Sequence, residues 1–319
     1  MSLTPNILVT GGAGFIGSNL ADELIRRGAK VKIIDNLLTG YHENLEEIEG
    51  DFEFIEGDIA NAEVIGQAVD GIDFIFHEAA LPSVPRSVAN PLETHNACVN
   101  GTFNVLTAAR DAGVKRVIYA ASSSAYGDQQ TLPKVETMAP EPLSPYAAAK
   151  LTGEYYCRVF SQVYGLETYS LRYFNVFGPR QDPSSQYSGV ISRFIDAFKK
   201  GGSPIIFGDG KQSRDFTYIA NVVDANVRAL DAEDGVGQVM NVANGERVSL
   251  LELVEVMKSV TGNTDVKVDF QPERKGDVKH SQADNQRAIQ WLGYTKLVGL
   301  EEGIKRTIEW WKESRFAKD

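Results

Sequence analysis

The stretch Ile7-Leu8-Val9-Thr10-Gly11-Gly12-Ala13-Gly14-Phe15-Ile16-Gly17 stands near the start of a 319-residue chain and decides how the chain folds. It begins as an aliphatic run of strand length and passes into closely spaced glycines. An apolar helical period follows, with Ile16, Leu20 and Leu24 on one face. A strand that turns through glycines directly into a helix predicts a βα unit that binds a nucleotide.

Each glycine of this turn is expected to have its own task. Gly11 allows the tight turn, Gly14 lets a pyrophosphate approach the amides at the helix N-terminus, and Gly17 lets the helix pack closely on the strand. Asp35, at the end of the next aliphatic run, can accept hydrogen bonds from adenosine ribose hydroxyls and repels a 2′-phosphate. The pattern therefore predicts NAD in preference to NADP. Other residues expected at this site are Phe15, Ile16, Asn36, Asp58, Ile59, Ala79, Ala80 and Tyr173.

Aliphatic runs and helical segments continue to alternate as far as about residue 173. Runs of strand length lie at 31–34, 52–55, 74–76, 117–120 and 168–171, with a long helical stretch expected from about Leu92 to Ala112. Repeated strand–helix units predict an α/β fold, a doubly wound parallel sheet of the Rossmann type with helices on both faces.

The alternation loosens after Tyr173, where prolines and a polar run mark a long loop. Residues 239–242 nevertheless resemble one more strand of the main sheet, so two domains are expected to interleave along the chain. The NAD-binding domain is predicted at 1–173 plus about 216–246. A smaller mixed α/β domain that binds the substrate is predicted at 174–215 plus about 247–319.

Composition and charge exclude several classes of protein. The formal net charge of −11 disfavours binding to nucleic acid or to anionic membranes, so an anionic substrate must meet a local basic pocket. No apolar run is long enough to span a bilayer. The two cysteines, Cys98 and Cys157, make a disulfide framework improbable and fit a reducing cytoplasm. No Cys-x-x-Cys or His-x-x-x-His pair occurs, so no metal site is predicted.

A second motif, Ser144-Pro145-Tyr146-Ala147-Ala148-Ala149-Lys150, predicts the start of a helix with serine as N-cap and proline in the first turn. Tyr146 and Lys150 then share one helix face, so the ammonium can lie near the phenol. A phenol has a pKa of about 10 in water, and a neighbouring cation favours the phenolate. The phenolate could accept a proton from a substrate hydroxyl while a hydride leaves to NAD.

Three serines follow the strand at 117–120, where a hydroxyl could bond the reacting oxygen and pass on its proton. Ser122 is the first choice for this role, and Ser123 and Ser124 stay open as alternatives or as contacts to the substrate.

Together, the glycine motif, Asp35, the strand-end serines and the Tyr146–Lys150 pair resemble the extended short-chain dehydrogenase/reductases over nearly the whole chain. The segments that resemble this family's nucleotide-sugar half are 172–179, 208–210, 213–216 and 274–277. The resemblance implies that Asn175 and Arg214 face the diphosphate, that Arg274 and Asp277 hold the nucleotide, and that the protein forms a homodimer. Cys98 stands where the family usually has asparagine.

The resemblance also separates related chemistries that all begin by oxidising C4 of a sugar. Dehydratases carry an Asp-Glu pair after the catalytic hydroxyl, and sugar-acid decarboxylases carry a glutamate there. Ser123 and Ser124 occupy those positions here, which favours a UDP-sugar 4-epimerase. The alternatives are a UDP-glucuronate epimerase or decarboxylase, and a non-catalytic NAD-binding regulatory protein on the same fold.

Among the epimerases, residues 80–87, 178–183 and 277–281 most resemble the enzymes that act on UDP-N-acetylglucosamine and UDP-N-acetylgalactosamine. By that resemblance, Ser83 and Arg86 contact the substrate. A small residue near Ser281 leaves room for an acetamido group, whereas a tyrosine there closes the space. His280 is expected at the edge of the pocket and not as a base.

Overall fold

A computed structural model describes residues 4–182, 189–273 and 279–314. The strands are β1 (Asn6–Thr10), β2 (Lys30–Asp35), β3 (Phe52–Glu56), β4 (Phe74–His77), β5 (Arg116–Ser122), β6 (Glu167–Tyr173), β7 (Val176–Phe177), β8 (Ile205–Phe207), β9 (Ser213–Arg214), β10 (Thr217–Tyr218), β11 (Gln238–Val242), β12 (Val248–Ser249) and β13 (Asp269–Gln271). The helices are α1 (Phe15–Arg26), α2 (His42–Glu46), α3 (Ala62–Ala68), α4 (Val84–Ala89), α5 (Pro91–His95), α6 (Gly101–Ala112), α7 (Pro145–Tyr164), α8 (Val190–Lys199), α9 (Ile219–Asp231), α10 (Leu250–Thr261), α11 (Gln286–Leu292) and α12 (Leu300–Glu313).

Seven of the strands form one sheet in the order β11-β6-β5-β4-β1-β2-β3, and every pairing in it is parallel. The chain order reverses between β1 and β4, which is where doubly wound sheets bind their ligands. The Rossmann-type prediction is confirmed, and so is the prediction that residues 239–242 join the main sheet.

Alternate residues of β1 show how the sheet is covered on both faces. Ile7 and Val9 belong to the core shared with α1 and α9, whereas Leu8 belongs to the core shared with α3, α6 and α7. All three side chains are fully buried. A strand buried on both faces reads as a continuous aliphatic run, and that run made β1 recognisable in the sequence.

The long helix expected from Leu92 to Ala112 has three parts. It consists of α5, a π-helical turn at Asn96–Asn100, and α6. The π turn carries the buried Cys98. Such single turns are rare and are often found beside functional sites.

Outside the main sheet, β7 pairs with β10, β9 with β12, and β8 with β13. These short pairs belong to the segments that follow β6 in the chain. Within the described residues, no helix combines the length and the apolar composition needed to cross a bilayer.

Candidate active site

A cavity of about 810 Å³ lies at the carboxyl ends of the main strands. It is lined by every predicted site residue that the structure describes: Gly11, Gly14, Phe15, Ile16, Gly17, Asp35, Asn36, Asp58, Ile59, Ala79, Ala80, Ser83, Arg86, Ser122, Ser123, Ser124, Tyr146, Lys150, Tyr173, Asn175, Arg214 and Ser281. Arg274 and Asp277 lie outside the described residues. The structure thus brings together residues spread over most of the chain, while their individual roles stay predictions.

The glycine turn has the geometry of a dinucleotide cradle. Gly11 has a φ of +71°, and a Cβ there would lie 2.6 Å from the amide nitrogen of Ala79. A Cβ on Gly17 would lie 2.2 Å from the carbonyl oxygen of Gly11, so side chains are excluded at both positions. Gly14 caps α1 without a side-chain hydrogen bond, which leaves amides at the start of the helix for an anion. The cradle therefore fits the pyrophosphate of NAD.

Asp35 has a structural task that the sequence did not reveal. Its carboxylate accepts hydrogen bonds from the amides of Ala13 and Leu37, at 3.0 and 2.8 Å. Burial raises the pKa of the Asp35 carboxyl, and these two bonds oppose the rise. The carboxylate thus fastens the glycine turn to the end of β2, and it still lines the cavity.

The adenosine side of the cavity continues across β3. The side-chain amide of Asn36 donates to the carboxylate of Asp58 at 3.1 Å, and Asp58 also accepts the amide of Ala60 at 2.8 Å. Ile59 is buried in the core below, where it meets α6. These bonds hold the two loops that follow β2 and β3 beside each other.

A clasp, formed by Arg180, Tyr41 and Asp182, fastens the loop after β7 to the cofactor side. The buried guanidinium of Arg180 donates to the carbonyl oxygen of Ser18 at 2.9 Å and to that of Glu47 at 2.7 Å. The phenol of Tyr41 donates to Asp182 at 2.6 Å, and both residues line the cavity. Residues 180–182 are therefore fastened to α1 and to the two ends of α2.

Helix α7 begins as predicted and carries the reaction pair. The Ser144 hydroxyl accepts the amide of Ala147 at 3.1 Å, and Pro145 occupies the first turn. Tyr146 and Lys150 line the same cavity one turn apart. The Lys150 ammonium lies 4.7 Å from the ring centre of Tyr119, so its charge rests against an aromatic face as well.

The pKa of Tyr146 moves in the direction opposite to the prediction. In the protein alone, burial raises the pKa of this phenol, the Cys98 thiol adds to the rise, and a hydrogen bond with Ser122 opposes it. Burial also lowers the pKa of Lys150. The Lys150 charge alone therefore does not produce a phenolate in this pocket, because desolvation disfavours the charged form.

The strand-end serines are connected to one another. The Ser124 hydroxyl and amide both donate to the Ser122 hydroxyl, at 2.8 and 3.2 Å. Because the Ser122 oxygen accepts both of these bonds, its hydroxyl can donate its proton to Tyr146. This arrangement supports Ser122 as the relay and gives Ser124 the part of its hydrogen-bond donor.

The sulfur and the carbonyl oxygen of Cys98 both accept hydrogen bonds close to the cavity. Its sulfur accepts the amide of Leu81 at 3.5 Å, and its carbonyl oxygen accepts the Thr102 hydroxyl at 2.7 Å. Thr102 in turn lies 2.9 Å from His77 Nε2, and the other ring nitrogen lies 2.8 Å from the Thr10 hydroxyl. Both nitrogens are satisfied by hydroxyls, and burial lowers the pKa of His77 to about 3, so this histidine is a neutral structural group.

Sequence reasoning missed a carboxyl group in the reaction site. Glu78 directly follows β4, lines the cavity, and accepts the Tyr173 phenol at 2.8 Å. Burial raises the pKa of Glu78 to about 7, although the Tyr173 bond and the Lys150 charge oppose the rise. No motif marked this residue, because it stands alone between a strand and the small residues Ala79 and Ala80.

Two residues predicted to bind substrate have partners within the protein. Arg86 forms a two-point ion pair with Glu93, at 3.0 and 2.6 Å, so its charge is already balanced. The buried Ser83 hydroxyl accepts the amide of Arg86 as the N-cap of α4. The prediction that both simply face the substrate was incomplete, since a helix cap and an ion pair hold them first.

The opposite end of the cavity is formed by segments after β6. The Asn175 amide donates to the carbonyl oxygen of Asp215 at 3.1 Å, and Arg214 donates to the carbonyl oxygen of Lys279 at 3.2 Å. Ser281 is fixed by its own amide, which donates to the carbonyl oxygen of Ser213 at 3.0 Å. His280 also lines the cavity, and its Nδ1 lies 2.8 Å from the Ser213 hydroxyl.

Comparison with known proteins agrees with this geometry. A model of the NAD dependent epimerase/dehydratase family matches residues 7–243. A UDP-glucose 4-epimerase of Mycolicibacterium smegmatis is 41% identical over 309 residues, which cover 96% of this chain and 98% of that protein.

Two solved structures have the same fold over nearly all of this chain. The UDP-glucose 4-epimerase of Thermotoga maritima with UDP-glucose has a TM-score of 0.92 and 38% identity, and the match covers 97% of this chain and 99% of that one. The UDP-N-acetylglucosamine 4-epimerase of Methanobrevibacter ruminantium, in complex with UDP-N-acetylmuramic acid, also has a TM-score of 0.92, with 39% identity over 97% of this chain and 98% of that one.

Proposed function

The chain belongs to the NAD-dependent epimerase/dehydratase family and is a UDP-sugar 4-epimerase that uses NAD, and on that premise we propose that it interconverts UDP-N-acetylglucosamine and UDP-N-acetylgalactosamine. Lower turnover of UDP-glucose and UDP-galactose is expected as well. The observation that carries the choice is Ser281, a small side chain that lines the cavity together with Tyr146 and Ser122.

The chain's own groups would handle the proton while the sugar is oxidised at C4 and reduced again. Bound NAD supplies the acceptor and the donor of the hydride. Tyr146 takes the proton from the C4 hydroxyl and returns it, with Ser122 bonded to the same oxygen. Lys150 and the oxidised cofactor provide the positive charge that overcomes the burial of the phenol. The 4-keto sugar turns over between the two hydride transfers.

At the other end of the cavity, Arg214, Asn175 and Arg274 are proposed to hold the diphosphate, and Arg274 and Asp277 to help hold the nucleotide. Arginine suits this task because its planar guanidinium bonds phosphate oxygens in pairs. With the diphosphate held, the sugar ring needs room to rotate about its link, and an acetamido group at C2 enlarges that space. Ser281 leaves the space open and offers a hydroxyl to the amide. A relative of 39% identity that is a UDP-N-acetylglucosamine 4-epimerase supports this choice.

A panel of UDP-sugars tests the proposal directly. Purified protein is incubated with UDP-N-acetylglucosamine, UDP-glucose and UDP-glucuronate, and the products are separated. We expect equilibration of the N-acetylated pair at the highest rate. Equilibration or decarboxylation of UDP-glucuronate alone would replace the substrate proposal with the uronate alternative. Failure to convert any UDP-sugar by NAD-loaded protein would favour the regulatory alternative.

A homodimer is proposed because one face of the molecule is apolar. Tyr155, Val159 and Val163 form an exposed stripe along α7, and Leu92 of α5 and Phe103 of α6 are exposed beside it. Contiguous apolar surface of this kind is typical of protein interfaces. We expect Val159→Glu with Val163→Glu to shift the sedimentation coefficient to that of a monomer. Ile289→Glu, an equally exposed change on α11, should leave it unchanged.

Two further assignments belong to the proposal. The NAD-binding domain would comprise 1–173 plus about 216–246, and the nucleotide-sugar domain the remainder, since the pairs β9–β12 and β8–β13 lie wholly in that remainder and stand outside the main sheet. A cytoplasmic location is proposed because Cys98 and Cys157 are both free thiols.

A further inference from the structure

Glu78 occupies a position at the reaction end of the cavity that the mechanism above does not use. It directly follows β4, which lies between β1 and β5 in the sheet, and its side chain lines the cavity with Tyr146 and Lys150. The reacting ring of NAD has to come within reach of Tyr146. Glu78 therefore lies at the end of the cavity that the nicotinamide must enter.

The carboxyl group of Glu78 is held by a side chain of β6, which is held in turn by a side chain of α9. The Tyr173 phenol lies 2.8 Å from Glu78 Oε1, and its oxygen accepts the side-chain amide of Asn226 at 2.8 Å. That same amide group also donates to the carbonyl oxygen of Val222 at 2.9 Å, which fixes Asn226. The phenol oxygen also lies 3.0 Å from Asn226 Oδ1, but its contact with Glu78 is shorter and a carboxylate can only accept, so the phenol donates its single proton to Glu78. Proximity to Glu78 and burial both raise the pKa of Tyr173, so the phenol stays a donor.

The charges around Glu78 come from few groups. Lys150 and Tyr146 face it from α7 and Tyr173 from β6, while the Cys98 thiol of the π turn acts on Lys150 and Tyr146. His77, on the same strand, is neutral, and Asn226 is uncharged. Among these groups, Lys150 is the cation. A carboxylate here balances one positive charge, and oxidised NAD would bring a second.

We propose that Glu78 is a positioning residue of the epimerase site, a carboxylate fixed by Tyr173 that balances Lys150 and thereby favours the oxidised form of bound NAD. The advantage for an epimerase is specific. The hydride must return to the sugar, because an enzyme left with reduced cofactor cannot accept the next substrate. A negative charge beside the ring opposes that outcome. The inference rests on the NAD-dependent activity and not on the choice of sugar.

Chemical reduction of the holoenzyme tests this without any sugar. Cyanoborohydride donates a hydride to the bound NAD, and the near-ultraviolet absorbance of the product reports the rate. In Glu78→Gln, which keeps a hydrogen-bond acceptor for Tyr173 but loses the charge, we expect reduction to be faster by on the order of tenfold at a pH above 7. The pKa of the Glu78 carboxyl is about 7 in the protein alone, and the positive charge of oxidised NAD would lower it, so the difference should close as the pH falls below 7.

Glu78→Asp is the matched control, because it keeps the charge and shortens the side chain. It should be reduced at nearly the wild-type rate on the alkaline side. Equal rates for wild type and Glu78→Gln at both pH values, with NAD bound in both, would overturn the proposal. So would a Glu78→Asp rate equal to that of Glu78→Gln, since geometry and not charge would then matter.

If Glu78→Gln does not retain NAD, the wild-type protein alone still tests the proposal. Its reduction rate, divided by that of free NAD at the same pH, should rise as Glu78 becomes protonated. A ratio that stays constant from about pH 8 down to about pH 4 would contradict the proposal.

Discussion

The two ends of the cavity are each organised by a buried aspartate, and the two aspartates differ in how far their bonds reach. Asp35 binds amides of the adjacent glycine turn and its own loop, at Ala13 and Leu37, and still lines the cavity. Asp215 is completely buried and accepts the amides of Asn244, Gly245 and Ala283, at 3.0 to 3.1 Å. The bonds of Asp35 thus stay within the first two strand–helix units, whereas the carboxylate of Asp215 joins its own segment to two others that lie 29 and 68 residues further along the chain.

The largest effect is expected where the two ends meet. Tyr146→Phe removes the group that accepts the proton and should lower turnover by about a hundredfold to ten-thousandfold, with the fold and the bound NAD unchanged. Initial rates with a UDP-sugar measure turnover, and mass spectrometry measures how much NAD is bound. Tyr164→Phe, on the same helix but exposed, serves as control. Near-normal turnover in Tyr146→Phe would refute the mechanism.

The next prediction breaks the sugar end. Asp215→Ala leaves three amides, one buried and two partly buried, without their acceptor, and we expect the free energy of unfolding to fall by about 3 kcal/mol. The KM for the UDP-sugar should rise while NAD stays bound, because the cofactor end has its own bonds. Denaturant unfolding and steady-state kinetics give the two quantities. Asp209→Ala removes an acceptor from a single exposed amide, that of Lys211, and should change neither.

Asp35→Asn breaks the cofactor end in the same way. Asparagine keeps one acceptor oxygen, so one of the amides of Ala13 and Leu37 loses its acceptor, and the ribose hydroxyls lose a charged one; NAD should therefore bind less tightly. We expect stability to fall by about 1–2 kcal/mol, and discrimination against NADP to weaken because the repulsion of a 2′-phosphate is gone. Mass spectrometry of the denatured wild type should find NAD(H). Stoichiometric NADP in the wild type would contradict the role given to Asp35.

The smallest expected effect concerns which sugar the other end admits. Ser281→Tyr adds bulk at the cavity wall and should suppress turnover of the N-acetylated sugars while sparing UDP-glucose and UDP-galactose, since a clash rejects the larger group. The ratio of kcat/KM for the two substrate pairs measures this. Ser281→Ala keeps the space and removes the hydroxyl, so it should retain the wild-type preference. Equal loss on both pairs in Ser281→Tyr would mean that Ser281 does not select the sugar.

The same difference, between bonds to nearby residues and bonds to distant ones, explains which features could be predicted from the sequence. The glycine turn, Asp35 and the Tyr146–Lys150 helix are short motifs whose geometry follows from local backbone rules, and in the structure they line one cavity. Asp215 was not identified, because its partners lie far away in the sequence. Glu78 was missed for a similar reason, since its meaning comes from Tyr173 and Lys150 on other elements.

Burial accounts for the remaining differences. The rise in the pKa of Tyr146 depends on how much water the folded pocket excludes, which spacing along a helix does not reveal. The ion pair between Arg86 and Glu93 forms because α4 and α5 bring the two side chains together. The position of a charged residue in a recognisable motif can therefore be predicted from sequence. Whether its charge is already paired depends on the neighbours that the fold brings to it.

The clasp of Arg180, Tyr41 and Asp182 has a consequence for how long NAD stays on the protein. Its bonds join the loop after β7 to α1 and α2, and none of them involves Arg214 or Ser281 at the sugar end. Exchange of one UDP-sugar for another need not break them. Residence of the cofactor and residence of the sugar are then governed by separate barriers. A single loading with NAD would outlast many rounds of sugar exchange, and dilution or dialysis would strip the sugar long before the cofactor.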